Sequence, residues 1–177
     1  SDRSGEFKFI HKSFMEYFVA DRVVSKLDKC LTKSGKISKK GEEVNKILAG
    51  TRLSMEICLF ISDILSSWKW DLVHTVMDLF DYLNETAMAN TVSILSKTDR
   101  NMAEFFFRHS FRAACPDHMD FSYAKFEGCV IKDKSFRDAQ FYSASLRGTV
   151  FVNCDFQGAV FDKANLIEVR FYECQFV

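Results

Sequence analysis

A chain of 177 residues, 47% apolar, with 24 basic and 24 acidic side chains, can bury a core or two and carries no net charge to recruit nucleic acid or a membrane surface. Apolar runs such as "ICLFI" (Ile57 to Ile61) are too short to span a bilayer, and the N-terminus lacks the apolar region of a signal peptide. Six cysteines without close C-x-x-C pairing read as reduced thiols of a cytoplasmic protein, and one proline with seven glycines argues against long linkers.

Taken in chain order, Phe7 and Phe9 alternate with polar neighbours and predict a short strand. Ser13 and Glu16 form an S-x-x-E capping box, so a helix is expected to start there, with Phe14, Tyr17, Phe18, Val24 and Leu27 along its buried stripe. His11 would then lie two residues before the N-cap, where the positive end of the helix favours anions and disfavours an imidazolium. Two readings follow: a histidine packed in a turn, or a neutral imidazole that donates to a phosphate. The polar, glycine-bearing stretch 33–43 reads as a loop, and six lysines against one acid between Lys26 and Lys40 read as a solvated helix end, with phosphate contact as the alternative.

Residues 42–114 carry helical periodicity. One stripe comprises Leu53, Ile57, Phe60, Ile61, Ile64 and Trp68, and the next Leu72, Val73, Val76, Leu79, Phe80 and Leu83. Asn84 and Thr98 or Asp99 are N-cap candidates for two further helices, bearing Met88, Val92 and Leu95, then Met102, Phe105 and Phe106. Four or five short antiparallel helices make a small bundle or superhelix.

From Phe121 an apolar residue recurs every fifth position, at Phe121, Phe126, Ile131, Phe136, Phe141, Leu146, Phe151, Phe156, Phe161, Leu166, Phe171 and Phe176. At this composition such a run has a chance probability of about one in ten thousand. A second series lies two residues before each: Ala124, Cys129, Ala139, Ala144, Thr149, Cys154, Ala159, Ala164, Val169 and Cys174. A period of five fits neither helix nor strand. It fits a square coil with four five-residue sides, both series pointing inward, and coils stacked to a total rise of about 14 Å. Lys134 breaks the small series, so its corner is either distorted or the side chain leaves through the end of the coil. Cys154 and Cys174 should stack as free thiols. Open backbone edges at the ends need caps, and the helix expected over Ala103 to Ala114, through Phe107 and Phe111, would cover the first coil. The outward pairs Val130 with Val150 and Val152 with Tyr172 fall on one face and form a candidate partner surface.

The repeat over residues 117–177 resembles the pentapeptide-repeat family, which implies a right-handed quadrilateral β-helix of about three coils. The fold class is therefore α+β: a strand–helix unit plus a small helical bundle, then the β-helix. The opening stretch "FKFIHKSFMEYFVA" resembles the F-x-F-x-H-x-S-F-x-E-[YF]-F-x-A signature of NACHT-type STAND NTPases, including NOD-like receptors, at Phe7, Phe9, His11, Ser13, Phe14, Glu16, Tyr17, Phe18 and Ala20. That resemblance implies that His11 contacts the phosphate of bound ADP in an intact parent. It divides the chain into the end of a winged-helix-like region (1–40), a helical connector (41–115) and a pentapeptide-repeat β-helix (116–177). The chain lacks a G-x-x-x-x-G-K-[ST] loop and a Walker B run, so no enzymatic activity and no cofactor are expected of this piece, and ATP or ADP belongs to the parent.

The chain has no initiator Met and stops inside a repeat, so it reads as part of a larger protein. The implied function is that of a sensor and autoregulatory portion of a signalling switch, in innate immunity or antiphage defence, with a protein or other macromolecule as trigger and the NTPase domain of its own chain as partner. Three alternatives are a stand-alone interaction module, a DNA mimic, and a spacer or end-to-end dimer. Nine acidic against seven basic residues after position 116 argue against the mimic. His109, Cys115 and His118, with Cys129, have faintly metal-like spacing, but Cys129 should point inward, so no metal site is expected. No nucleophile constellation is recognisable, and His74 reads as a boundary residue.

Overall fold

No glycine or proline interrupts residues 6–34, and the chain uses that freedom to form one long helix, α1 (Arg3–Leu31). A computed structural model describes residues 3–66, 75, 76, 78, 79, 82–99 and 118–177. The strand expected at Phe7 and Phe9 does not form, and Ser13 lies well inside α1, not at its cap. His11 is therefore a helix-interior position, and the argument from a helix N-terminus does not apply to it. The expected strand–helix unit is replaced by a single helix because three alternating residues are too few to outweigh an unbroken helical run.

The buried stripe of α1 also differs from expectation. Ala20, Val24, Leu27 and Leu31 are buried, at the i, i+4, i+7, i+11 spacing of one helix face. Phe14, Tyr17 and Phe18 lie on another face and are 60%, 45% and 50% exposed.

The connection after α1 is short, because α2 (Ile37–Leu48) starts inside the stretch read as a loop. The boundary drawn at 40 thus falls within this helix. Gly41 is buried in α2, where a Cβ would meet the Tyr82 side chain, so the glycine permits close packing and does not mark a turn. Helix α3 (Met55–Ser66) follows, and its Cys58 and Ile61 pack with Ala20, Val24 and Ile94. Helix α4 (Glu85–Leu95) is capped by Asn84, whose side-chain oxygen accepts from the Ala87 N–H at 2.9 Å, as its sequence predicts. A second apolar cluster joins Leu27, Leu31, Val44, Leu48, Leu79, Leu83 and Ala87. Trp68, Leu72, Val73, His74, Phe80, Met102, Phe105, Phe106, Phe107, His109, Phe111 and Cys115 lie outside the described residues.

Beyond residue 118 the chain returns beside itself every twenty residues. Strands β1 (Val130–Lys132), β2 (Val150–Val152) and β3 (Arg170–Tyr172) form a parallel sheet in the order β1-β2-β3, with Ile131 opposite Phe151 and Phe151 opposite Phe171. Single bridges with the same offset, such as Gln140 to Val160, Ser145 to Asn165 and Ser135 to Asp155, mark the other three sides. The architecture is α+β.

Each side is turned by one left-handed residue. Positions 118, 123, 128 and so on to 173 all have φ between 52° and 71°, and only Gly128, Gly148 and Gly158 among them are glycine. The other nine bear side chains, Asp133, Asp138 and Asn153 among them, which tolerate this region better than most. On three sides the turn closes with a hydrogen bond to the inward aromatic or leucine, as where the Ala124 N–H donates to the Phe121 carbonyl at 3.0 Å.

Inside, equivalent residues stack. Phe121 lies 5.2 Å from Phe141, which lies 4.9 Å from Phe161, the three rings stacked nearly parallel. Phe136, Phe156 and Phe176 repeat this at 5.0 and 5.3 Å, and Phe151 stacks on Phe171 at 5.3 Å. The inward series is buried from Phe121 to Phe156; Phe161 and Phe171 are half-buried, and Leu166 and Phe176 are exposed. The Lys134 corner is not distorted: its carbonyl accepts from the Asp155 N–H at 3.0 Å in regular register, and the side chain is buried.

The first coil is covered by α4 and the turn after it. Ala89, Val92 and Leu95 share one apolar cluster with Met119, Phe121 and Ala124. Lys97 is 1% exposed, and its ammonium donates to the Ser93 carbonyl and hydroxyl, each at 3.0 Å, and to the Asp120 carbonyl at 3.2 Å. Burial holds its pKa below the ordinary lysine value. The Lys125 N–H donates to the Ser96 carbonyl at 2.9 Å, so the edge of the first coil is partnered by residues 93–98.

Candidate interaction surface

The three strands read VIK, VFV and RFY, with the middle residue inward and its neighbours outward. Pairing places Val130, Val150 and Arg170 in one outward row, and Lys132, Val152 and Tyr172 in the next. The four residues expected from the repeat arithmetic are therefore brought together on one sheet face. Val130 is 40% exposed and Tyr172 51%, while Val150 and Val152 are half-buried among them. Lys132 and Arg170 sit at opposite corners of this patch, giving an apolar centre with a charged margin.

A feature on another side of the repeat escaped the sequence reading. Lys163 donates to the Tyr142 hydroxyl at 2.7 Å, its ammonium lies 4.9 Å from that ring centroid, and Tyr123 meets Tyr142 edge-on at 5.8 Å. The hydrogen bond from Lys163 lowers the Tyr142 pKa and raises that of Lys163. The signal lay in Tyr142 and Lys163 standing one coil and one residue apart, which the inward series does not reveal.

Cys129, Cys154 and Cys174 behave as small inward residues of the repeat. Cys129 and Cys154 are buried and unbonded to one another, as is the half-buried Cys174. The Cys154 Sγ donates to the Val152 carbonyl at 3.4 Å, and burial pushes its pKa up to about 11. Its ordinary value is 9.0, so the folded state keeps the proton longer than the unfolded chain. The stability this contributes is complete below about pH 9 and is lost as pH rises toward about 11. Thermal unfolding at rising pH should show that decline in the wild type and less of it in Cys154→Ala, since alanine already serves at Ala139 and Ala159.

Among the described residues no group of three or more histidine, cysteine, aspartate or glutamate side chains converges to hold a metal. Of the cluster weighed from sequence, His118 is exposed and lies 3.7 Å from the Asp138 carboxylate, and Cys129 points inward; His109 and Cys115 lie outside the described residues. No described helix is long and apolar enough to cross a membrane.

The pentapeptide-repeat family, in its eight-copy description, matches residues 120–158 and again 135–172. The C-terminal third is thus a pentapeptide-repeat domain, a type of repeat suited to a protein-interaction solenoid. No curated protein and no solved structure matches the chain.

Proposed function

We propose that the repeat is a right-handed quadrilateral β-helix of about three coils and that it serves as a protein-recognition module. The observation that carries this reading is the outward face of β1–β3, where Val130, Val150, Val152 and Tyr172 make an apolar patch on a stacked scaffold. We propose further that the chain is the non-catalytic sensing part of a NACHT-type STAND NTPase. Two things support that: the signature at Phe7 to Ala20, and the exposure within it of Phe14, Tyr17 and Phe18, as expected of a segment that packs on another domain. His11 would act there on the phosphate of ADP held by the parent's own loop.

The test uses the full-length parent. His11→Ala should weaken ADP binding and cause spontaneous oligomerisation, read by calorimetry and light scattering on the same samples. Unchanged affinity and an unchanged monomer would remove the STAND reading while leaving the repeat's role intact. The competing reading is self-association through the last coil, where Leu166, Ile167 and Phe176 are exposed. Sedimentation of the 177-residue chain separates the two. A monomer supports recognition of another protein, and a dimer lost in Ile167→Asp supports the spacer or dimer role.

A further inference from the structure

Between the end of α1 and the start of α2 lies an open cavity of about 670 Å³, lined by seven lysines and a single glutamate. In a chain of no net charge, this is a deliberate concentration of one sign. Lys26 and Lys29 approach from α1, Lys33 and Lys36 from the connection, and Lys39 from α2; none of these five ammonium groups makes a hydrogen bond or ion pair among the described residues. Lys40 is occupied, donating to the Leu31 carbonyl at 2.7 Å, and Lys46 pairs with Glu43.

Local physics opposes this arrangement. Lys26 and Lys29 within α1, and Lys36 with Lys39 and Lys40 at the start of α2, stand at spacings of three and four, where like charges repel. Lys36, Lys39 and Lys40 also crowd the positive end of α2. That end has no acidic residue in its first turn and no side-chain cap to offset its positive end. A sequence that breaks several local rules at one place, around a cavity of ligand size, marks a binding site.

We infer that this cavity binds a compact polyphosphorylated anion. Lysines on flexible stems meet phosphate as point charges and adapt to several phosphate groups at once. The lining holds no aromatic ring, so it offers no platform for a base, and a nucleotide or single-stranded RNA would gain nothing beyond its phosphates.

The probes are inositol hexakisphosphate, inorganic tripolyphosphate and phosphatidylcholine vesicles doped with a phosphoinositide, titrated into the whole 177-residue chain. Inositol hexakisphosphate should bind one to one, and its affinity should fall steeply between about 50 mM and about 200 mM salt. The double variant Lys33→Gln/Lys39→Gln should weaken binding about tenfold per lysine. Lys12→Gln, elsewhere on α1, should change nothing. Vesicle binding that free inositol hexakisphosphate displaces identifies a lipid headgroup as the source of the phosphates, and its absence identifies a free polyphosphate. No binding at low salt overturns the inference, as does equal binding by the double variant or a preference for duplex RNA over both small anions.

Discussion

Phe136→Ala is expected to destabilise the protein by about 3–5 kcal/mol, near the top of the range for a single core truncation. The ring is fully buried and lies 5.4 Å from Phe121, 5.6 Å from Phe141, 5.9 Å from Phe151 and 5.0 Å from Phe156. It therefore touches both the first and the second coil, and no side chain can move in without abandoning its own stack. Phe176→Ala is the internal comparison, because Phe176 stacks only on its inner side and is exposed. That variant should cost about 1 kcal/mol, in proportion to the smaller area withdrawn from water. Urea unfolding followed by far-ultraviolet circular dichroism measures both, and equal costs would show that the stack is not the source of stability.

Asn90→Ala should be nearly as damaging for the opposite reason. Asn90 is buried, and its amide donates to the Leu48 carbonyl at 2.7 Å and the Thr51 carbonyl at 2.8 Å while its oxygen accepts from the Leu53 N–H at 2.9 Å. One side chain thus satisfies three backbone groups of the link between α2 and α3. Alanine would leave the Leu48 carbonyl and the Leu53 N–H, both away from open solvent, without a partner, for a loss of about 3 kcal/mol. Asn45 makes a comparable pair of bonds, to the Tyr82 carbonyl at 2.8 Å and from the Asn84 N–H at 2.9 Å, but in exposed surroundings. Water can replace it, so Asn45→Ala should cost about 1 kcal/mol. The same denaturation series compares the two, and a similar loss at both sites would refute the burial argument.

The repeat was legible because its period is set by covalent length: five residues make one side whatever the neighbours are, so Phe121 through Phe156 could be placed inward by counting. The outward face of β1–β3 followed from the same count. Asn84 was legible because a cap is a local bargain between a side chain and the next turn. The first two helices differ from the sequence reading at three points, each where local pattern is ambiguous. An S-x-x-E spacing occurs inside helices as readily as at their starts, so Ser13 and Glu16 did not mark an end. Periodicity shows that a stripe exists but not which stripe finds a neighbour, and Ala20, Val24, Leu27 and Leu31 won over the larger Phe14 and Phe18. Gly41 looked like punctuation because its reason, Tyr82, stands forty-one residues away. Asn90 could not be read at all, since the three groups it serves meet it only after folding. The cavity lysines were visible as a run, but their convergence required the turn between α1 and α2.

The offset of twenty residues between paired positions sets how this domain can change length. Inserting a single pentapeptide leaves every inward aromatic in an acceptable place, so the core would tolerate it. In the four-sided coil proposed above, however, everything after the insertion turns by a quarter of a revolution. Val150 would then no longer stand above Val130, and the patch would be scattered over adjacent sides. Only additions or deletions of four pentapeptides at once preserve both the interior and the surface. A lineage that depends on this face is therefore held to whole coils, while one that needs only the scaffold is free to vary in fives.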